Sequence, residues 1–300
     1  MPRWTTDDIP DQTGRIAVIT GANSGIGYHT AEELARKGAT VVLACRSQAR
    51  GEEAVERLHR ALPRANAALM LLDLGNLDSV HAFVETFAAH HDRLDLLINN
   101  AGVMFPPLGR TAQGFELLLG INHLGHFALT GLLLPWVRKA EQARIVVVAS
   151  TAHRAGSISL DDPNWASRRF HTIAAYGQSK LANLLFAREL TRRLPAHGVD
   201  AIAVSAHPGW TSTNLGREST IVSLASRLLA QSALMGALPT LRAATDPEAA
   251  PDVYYGPRGP GELRGYPVEV GRNEAAKDDT VASELWALSE QLTGVRFLPA

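Results

Sequence analysis

Ile16-Ala17-Val18-Ile19-Thr20 runs directly into Gly21-Ala22-Asn23-Ser24-Gly25-Ile26-Gly27, and the reading of this junction decides the fold. The first five residues are aliphatic or β-branched and of strand length, while Gly25 to Lys37 has apolar residues at three- and four-residue spacing. A strand that turns through glycines into a helix aims backbone N–H groups from the positive helix end at whatever sits over the turn. Glycine at 21 permits the tight turn, and glycine at 25 and 27 removes side chains that would keep those amides from a pyrophosphate. The plainer alternative is a glycine-rich turn without a ligand. A strand before it and a helix after it favour a dinucleotide-binding turn, with Asn23, Ser24 and Ile26 in the contact set.

Outward from this junction, short aliphatic runs alternate with longer segments of helical period. The runs are Ile16 to Thr20, Thr40 to Ala44, Ala67 to Leu72, Leu94 to Asn99, Ala143 to Ala149 and Val199 to Ser205, with a weaker seventh at Asp252 to Gly256. Between them lie Gly25 to Lys37, Gln48 to Ala61, Leu77 to His90, Ala112 to Lys139 and Tyr176 to Leu194. Such alternation predicts an α/β fold: a doubly wound, mainly parallel seven-stranded sheet with helices on both faces. No Pro/Gly/Ser-rich linker divides the chain, so residues 1–300 read as one dinucleotide-binding and catalytic domain. Residues 1–14 form an amino-terminal extension and 210–242 a substrate-loop region. Pro251 to Pro267 reads as surface turns around a last strand.

Composition excludes several function classes. The chain has 46% hydrophobic and 20% charged residues with a formal net charge of -1, so no long-range field favours nucleic acid or an anionic membrane surface. The one cysteine, Cys45, cannot form an internal disulfide and fits a reducing compartment. The amino terminus carries Asp7, Asp8, Asp11 and two prolines in place of the apolar run of a signal peptide. Apolar stretches such as Leu69 to Leu72 and Ile145 to Ala149 are strand-length and far short of a membrane span. A cytoplasmic protein is expected.

Chemistry enters with Tyr176-Gly177-Gln178-Ser179-Lys180. A phenol and an ammonium four positions apart share one helix face, and the ammonium would favour the phenolate, lowering the phenol's pKa toward working pH. Such a tyrosine can exchange a proton with a substrate oxygen. The spacing alone is common, and its weight comes from the glycine turn in the same half of the chain. About twenty residues beyond that turn, where an Asp or Glu would take the ribose hydroxyls of NAD, stand Cys45 and Arg46. A guanidinium matches a 2′-phosphate, so the expected cofactor is NADP in preference to NAD. A solvated charge at a strand end is the alternative for Arg46.

With these residues in place, the chain resembles the short-chain dehydrogenase/reductase family from about residue 15 onward. TGxxxGxG at residues 20–27, Asn99-Asn100-Ala101-Gly102, YxxxK at 176–180 and Pro208-Gly209 stand in that family's order. Leu43-Ala44-Cys45-Arg46, Ile121-Asn122-His123-Leu124-Gly125-His126-Phe127 and Ser179-Lys180-Leu181-Ala182-Asn183 look most like its retinol-dehydrogenase-like and WW-domain-oxidoreductase-like members. The resemblance implies a Rossmann fold with Tyr176 as acid/base. It implies that Lys180 binds the nicotinamide ribose, Ser150 holds the substrate oxygen, and Asn122 anchors a water between Lys180 and solvent. It places Asp73 and Leu74 near the adenine, Asn99, Ala101 and Gly102 along the cofactor, and Pro208, Gly209, Thr211 and Thr213 near the nicotinamide carboxamide. Residue by residue, Ser150 could instead cap a turn, with Thr151 as a competing hydroxyl. Asn122 could be a helix kink, and Asp73 could cap the helix near Leu77. The helices Ala112 to Lys139 and Tyr176 to Leu194 are the family's usual subunit contacts, so a homodimer or homotetramer is expected.

From Ser150 to Tyr176 is 26 positions, longer than in the shortest family members, and the extra stretch holds His153, Arg154, Trp165, Arg168 and Arg169. Surface placement near the site mouth is expected for it. Phe105, Trp165, Phe170, Trp210, Leu234 and Met235 are expected to wall the substrate, which favours a small hydrophobic carbonyl or alcohol. His123 and His126 lie one turn apart without a third ligand at metal spacing, and no metal is expected. The expected activity is NADP-dependent interconversion of an alcohol and a carbonyl by hydride transfer. A cofactor-sensing binding protein on the same fold is the alternative, and an isomerase or dehydratase with tightly held NAD is a third reading.

Overall fold

Alternate side chains of the central strands feed two separate cores. Val18, Val42, Leu97 and Val147 belong to one buried cluster, whereas Ala17, Ile19, Val41, Leu43, Leu96 and Val146 belong to the other. A strand buried on both faces must be covered by helices on both, which is the reason for the near-continuous aliphatic runs.

The computed structural model describes residues 3–211 and 231–299. Its elements are β1 (Ile16–Thr20), α1 (Gly25–Arg36), β2 (Thr40–Cys45), α2 (Gln48–Ala61), β3 (Ala67–Leu71), α3 (Leu77–His90), β4 (Leu96–Asn99), α4 (Leu117–Leu119) and α5 (Gly125–Val137). There follow β5 (Ala143–Val148), α6 (Thr172–Ala196), β6 (Ala201–Ala206), α7 (Ala233–Thr245), β7 (Tyr254–Pro257), β8 (Pro267–Glu269) and α8 (Asp279–Thr293). The sheet order is β3-β2-β1-β4-β5-β6-β7-β8, parallel throughout except for the last pair. Helices α1, α2 and α7 cover one face, with Leu34, Leu58 and Leu241 in its core. Helices α3, α5 and α6 cover the other with Phe87, Phe127 and Phe186. Strand order reverses between β1 and β4, and the crevice that opens there at the carboxyl ends of the strands is where ligands bind in such sheets.

Among the described residues the sheet therefore has eight strands, not seven. β8 is three residues long, starts at a proline and lies at the sheet edge inside the Pro- and Gly-rich zone, too short to carry a two-residue alternation. The helix expected from Ala112 starts only at Leu117, because Glu116 turns its carboxylate back onto the N–H groups of Leu118 and Leu119 at 2.8 and 2.9 Å. Between α4 and α5 the backbone widens into a π turn, Gly120–Leu124, which contains Asn122. Leu117–Val137 as a whole is long and apolar enough to cross a membrane by length and composition, so the strand-length limit on apolar runs is too strict. Its most apolar window is 78% buried in this fold, as a core helix would be.

α8 and the segment after it lie over α5 and α6. Trp286 and Phe297 pack on Phe127, with ring centroids 5.1 and 4.9 Å away. Arg193 of α6 donates to Leu298 O at 2.7 Å. An assembly built on the faces of α5 and α6 expected to make subunit contacts would first have to displace this layer.

Candidate active site

Two adjoining cavities open at the carboxyl ends of β1, β4, β5 and β6, and they share one wall made of Ile26, Ala149, Tyr176 and Pro208. One has a volume of about 260 Å³ and is lined by Gly21, Asn23, Ser24, Gly25, Gly27, Asn100, Ala101, Gly102 and Lys180. The other, of about 250 Å³, is lined by Met104, Phe105, Ser150, Ile173, Gly209, Trp210, Thr211 and Leu263. Tyr176 thus lies where the cavities join, with Lys180 on the first side only and Ser150 on the second only.

Each wall follows from local geometry. The amino end of α1 faces the first cavity, and Ser24, its cap residue, spends no side-chain bond on its own helix. Thr20 Oγ1 accepts from the N–H groups of Asn100 and Ala101 at 2.9 Å each, and Asn100 Nδ2 donates to Thr20 O at 2.7 Å, which binds the turn after β4 to the glycine turn. A Cβ on Gly27 would stand 2.5 Å from Gly21 O and 2.6 Å from Asn100 Nδ2. Gly27→Ala is therefore expected to destabilise the protein by about 1–3 kcal/mol and to weaken nucleotide binding. A urea melt and a nucleotide titration on the same preparation check both.

Tyr176 and Ser150 are 26 positions apart, yet a close packing of backbones joins them. Ser150 caps the 3₁₀ turn Thr151–Ala155, accepting from Ala152 N at 3.2 Å. That turn docks on α6 at Gly177, where a Cβ would lie 3.0 Å from Ala152 O and 2.9 Å from Gly156 N. The intervening insertion does not wall the substrate cavity as expected. Trp165 packs with Leu118, Ala175 and Phe170, Arg168 stacks 3.7 Å over its ring, and Arg168 Nη2 donates to Gln178 Oε1 at 2.6 Å. The middle of the insertion is a clasp on α6, and the cavity is reached by its two ends, Thr151 and Ala152 after Ser150 and Ile173 at the start of that helix.

The electrostatics differ from the expected form. Burial pushes the Tyr176 phenol up to about 12, with a Ser150 hydrogen bond opposing it more weakly. Burial likewise pushes the Lys180 ammonium down to about 8. The ammonium lies 5.8 Å from the centroid of the tyrosine ring. Desolvation of the charged forms outweighs the attraction expected from helical spacing alone. Lys180 Nζ makes one hydrogen bond among the described residues, to Val148 O at 3.3 Å, which Asn183 Nδ2 also reaches at 3.0 Å. A buried ammonium with two N–H groups unspent suits vicinal hydroxyls, and glycine at 102 leaves room beside it: a Cβ there would be 3.5 Å from Nζ and 3.1 Å from Asn122 Oδ1. The donor set and the bare backbone fit a nicotinamide dinucleotide.

The chain matches a family model described as short chain dehydrogenase over residues 15–221. The chain belongs to the short chain dehydrogenase family. It is 40% identical to retinol dehydrogenase 12 of Mus musculus, over 95% of this chain and 88% of that protein. It is also 40% identical to retinol dehydrogenase 13 of Homo sapiens, over 94% and 85% respectively. A crystal structure of an uncharacterized protein from Mycobacterium paratuberculosis superposes with a TM-score of 0.84 at 45% identity, covering 100% of both chains. The chain is accordingly an NAD(P)-dependent oxidoreductase of the short chain dehydrogenase family.

Other expected site residues of this short chain dehydrogenase lie elsewhere. Asn99 turns its side chain into the core, donating to Thr130 Oγ1 at 3.0 Å, and Asn100 lines the cofactor cavity in its place. Leu74 is a core residue, and Asp73 accepts from Gly75 N at 2.9 Å outside the cavity lining, while Asn76 caps α3. Arg46 is exposed at the end of β2. Asn122 commits its amide to Val103, accepting from its N at 2.8 Å and donating to its O at 3.1 Å, and to Ser179 Oγ at 3.0 Å. Both amide hydrogens of Asn122 and one lone pair of its Oδ1 are thus spent within the protein. Its backbone carbonyl accepts from His126 Nδ1 at 3.0 Å. Burial pushes His126 down to about 4 and His123 to about 3, so both are neutral. Thr213 lies outside the described residues, and Thr211 Oγ1 donates to Pro208 O at 2.9 Å. Of the expected substrate walls, Phe105 and Trp210 line the second cavity. Leu234 is exposed and Met235 packs on the core. Thr20, Asn100 and Leu263 were not foreseen. Only Thr20 and Asn100 carried a signal, as members of the glycine and Asn-Asn motifs.

Proposed function

We propose that this short chain dehydrogenase is an NADP-dependent enzyme that interconverts small hydrophobic carbonyls and alcohols. The observation that carries the reading is the placement of Tyr176 on the wall shared by the glycine-lined cleft and an apolar cavity, with Ser150 hydrogen-bonded to it. The nicotinamide would supply hydride chemistry at C4. Tyr176, held protonated by burial, gives its proton to the carbonyl oxygen during reduction. Ser150 accepts from Ala152 N and hydrogen-bonds Tyr176, so its hydroxyl stands beside the tyrosine where that same oxygen would be held. Lys180, with its unspent N–H groups, would hold the ribose hydroxyls of the bound nucleotide. Met104, Phe105, Ile173, Trp210 and Leu263 make the second cavity apolar. The relatives named for retinol, an apolar alcohol, support the same substrate class.

NADP preference rests on Arg46, exposed after β2 with no acidic residue at that strand end. Arg46→Asp is expected to lower the affinity for NADPH by about 10- to 100-fold and to leave or improve that for NADH. Following NADPH and NADH oxidation with a panel of hydrophobic aldehydes and ketones tests activity and preference together. Retention of the NADPH preference in Arg46→Asp would refute the cofactor assignment. Tight NADPH binding with no turnover of any carbonyl would favour the sensor reading.

A further inference from the structure

Glu262 holds a backbone conformation that its residue type disfavours. Its φ is 57°, directly after Gly261 at 62°, in the short 3₁₀ turn Pro260–Glu262 between β7 and β8. Glycine would be relaxed there, so keeping a glutamate points to a use for the side chain. Glu262 Oε1 accepts from Arg154 Nη2 at 2.6 Å, and Oε2 meets His207 Nε2 at 3.0 Å. Arg154 stands on the turn that follows Ser150. His207 opens the loop that walls both cavities. His207 Nδ1 accepts from Gly209 N at 3.2 Å, which fixes the tautomer: Nε2 carries the hydrogen and donates it to the carboxylate. Next to this contact, Trp210 N donates to Leu263 O at 2.8 Å. One carboxylate therefore ties together the serine-bearing turn, the loop after β6 and the β7–β8 turn, and the last two supply Gly209, Trp210 and Leu263 to the substrate cavity.

We propose that Glu262 is a positioning residue that fixes the Gly209–Trp210–Leu263 wall and so sets how tightly an apolar carbonyl is held. The kinetic side of this inference rests on the reaction proposed above. The two contacts are unequal. The Arg154 side chain is 42% exposed, and an exposed ion pair contributes little. The His207 side chain is 1% exposed, so removing its acceptor leaves a buried N–H unpaired.

Glu262→Ala, Glu262→Gln and Arg154→Ala are compared with the unaltered enzyme in three measurements: KM and kcat for an apolar aldehyde, NADPH affinity, and amide hydrogen exchange at Gly209 and Trp210. Glu262→Ala is expected to raise KM about tenfold with kcat within about threefold, and to speed exchange at both amides. Glu262→Gln keeps an acceptor for His207 and is expected to restore both, while Arg154→Ala stays close to wild type. Unchanged KM and exchange in Glu262→Ala would overturn the proposal, as would a loss confined to thermal stability. Absence of turnover in the unaltered enzyme would count against the proposed reaction, and the exchange rates would then decide the role of Glu262 on their own.

Discussion

Tyr176→Phe is expected to lower kcat for carbonyl reduction by a factor of about 100 to 10,000 while leaving nucleotide affinity within about threefold of wild type. The variant keeps the ring that packs 5.6 Å from Phe105 and loses only the hydroxyl. Among the described residues, nothing else at the junction of the cavities can replace the proton. Ser150 is a hydroxyl of far weaker acidity, and His153, which approaches it, bonds the Ser150 backbone oxygen through Nδ1 at 2.7 Å instead of facing the cavity. Steady-state rates with an apolar aldehyde, set beside quenching of protein fluorescence by NADPH, separate chemistry from binding. Undiminished turnover in the variant would refute the assignment of Tyr176.

Lys180→Met is expected to make the cofactor-free protein more stable at pH 7 while removing most of its activity. Lys180 is 5% exposed, has no carboxylate partner among the described residues, and its pKa falls from 10.5 in the unfolded chain to about 8 in the fold. At 1.4 kcal/mol per tenfold change, that displacement disfavours the charged form by about 3 kcal/mol. The sign follows from proton counts. Below pH 8 the lysine is charged in both states and the folded state bears the whole penalty; between about 8 and 10.5 the unfolded chain holds more protons, so folding gains stability as pH rises. Methionine fills similar volume without the charge. The advantage of Lys180→Met should therefore be largest below pH 8 and vanish above about 10.5, an effect readable in urea midpoints measured across that range. A variant less stable than wild type at pH 7 would show that the ammonium is held by more than Val148 O. The trade of stability for a poised charge is what a functional lysine requires.

Much of the fold was legible because its signals are local. Aliphatic runs buried on both faces, as in β1 and β5, leave no other partner than helices on both sides, and glycines 21, 25 and 27 stand where backbone must approach backbone or ligand. The β8 strand was not legible, since three residues from a proline carry no period. The start of α4 was hidden by the use of Glu116 as a cap, an atypical residue for that place. Tyr176 and Lys180 were singled out by helical spacing, yet the direction of the tyrosine's pKa was not legible, because burial depends on Phe105 and the Ser150 turn arriving from elsewhere. The same limit explains the substrate wall. Trp165 and Phe170 looked equal to Phe105 and Trp210 in sequence, and only the docking of Gly156 on Gly177 shows that the insertion folds away from the cavity. Asn99 and Asn100 differ by one position in a strand end, which alone turns one into the core and the other toward the cleft.

Transfer of deuterium from C4-deuterated NADPH to an apolar aldehyde tests the central claim most directly. The account predicts label on the carbinol carbon of the alcohol product, delivered to one face. Label retained on a cofactor that binds firmly, with every aldehyde offered, would contradict it.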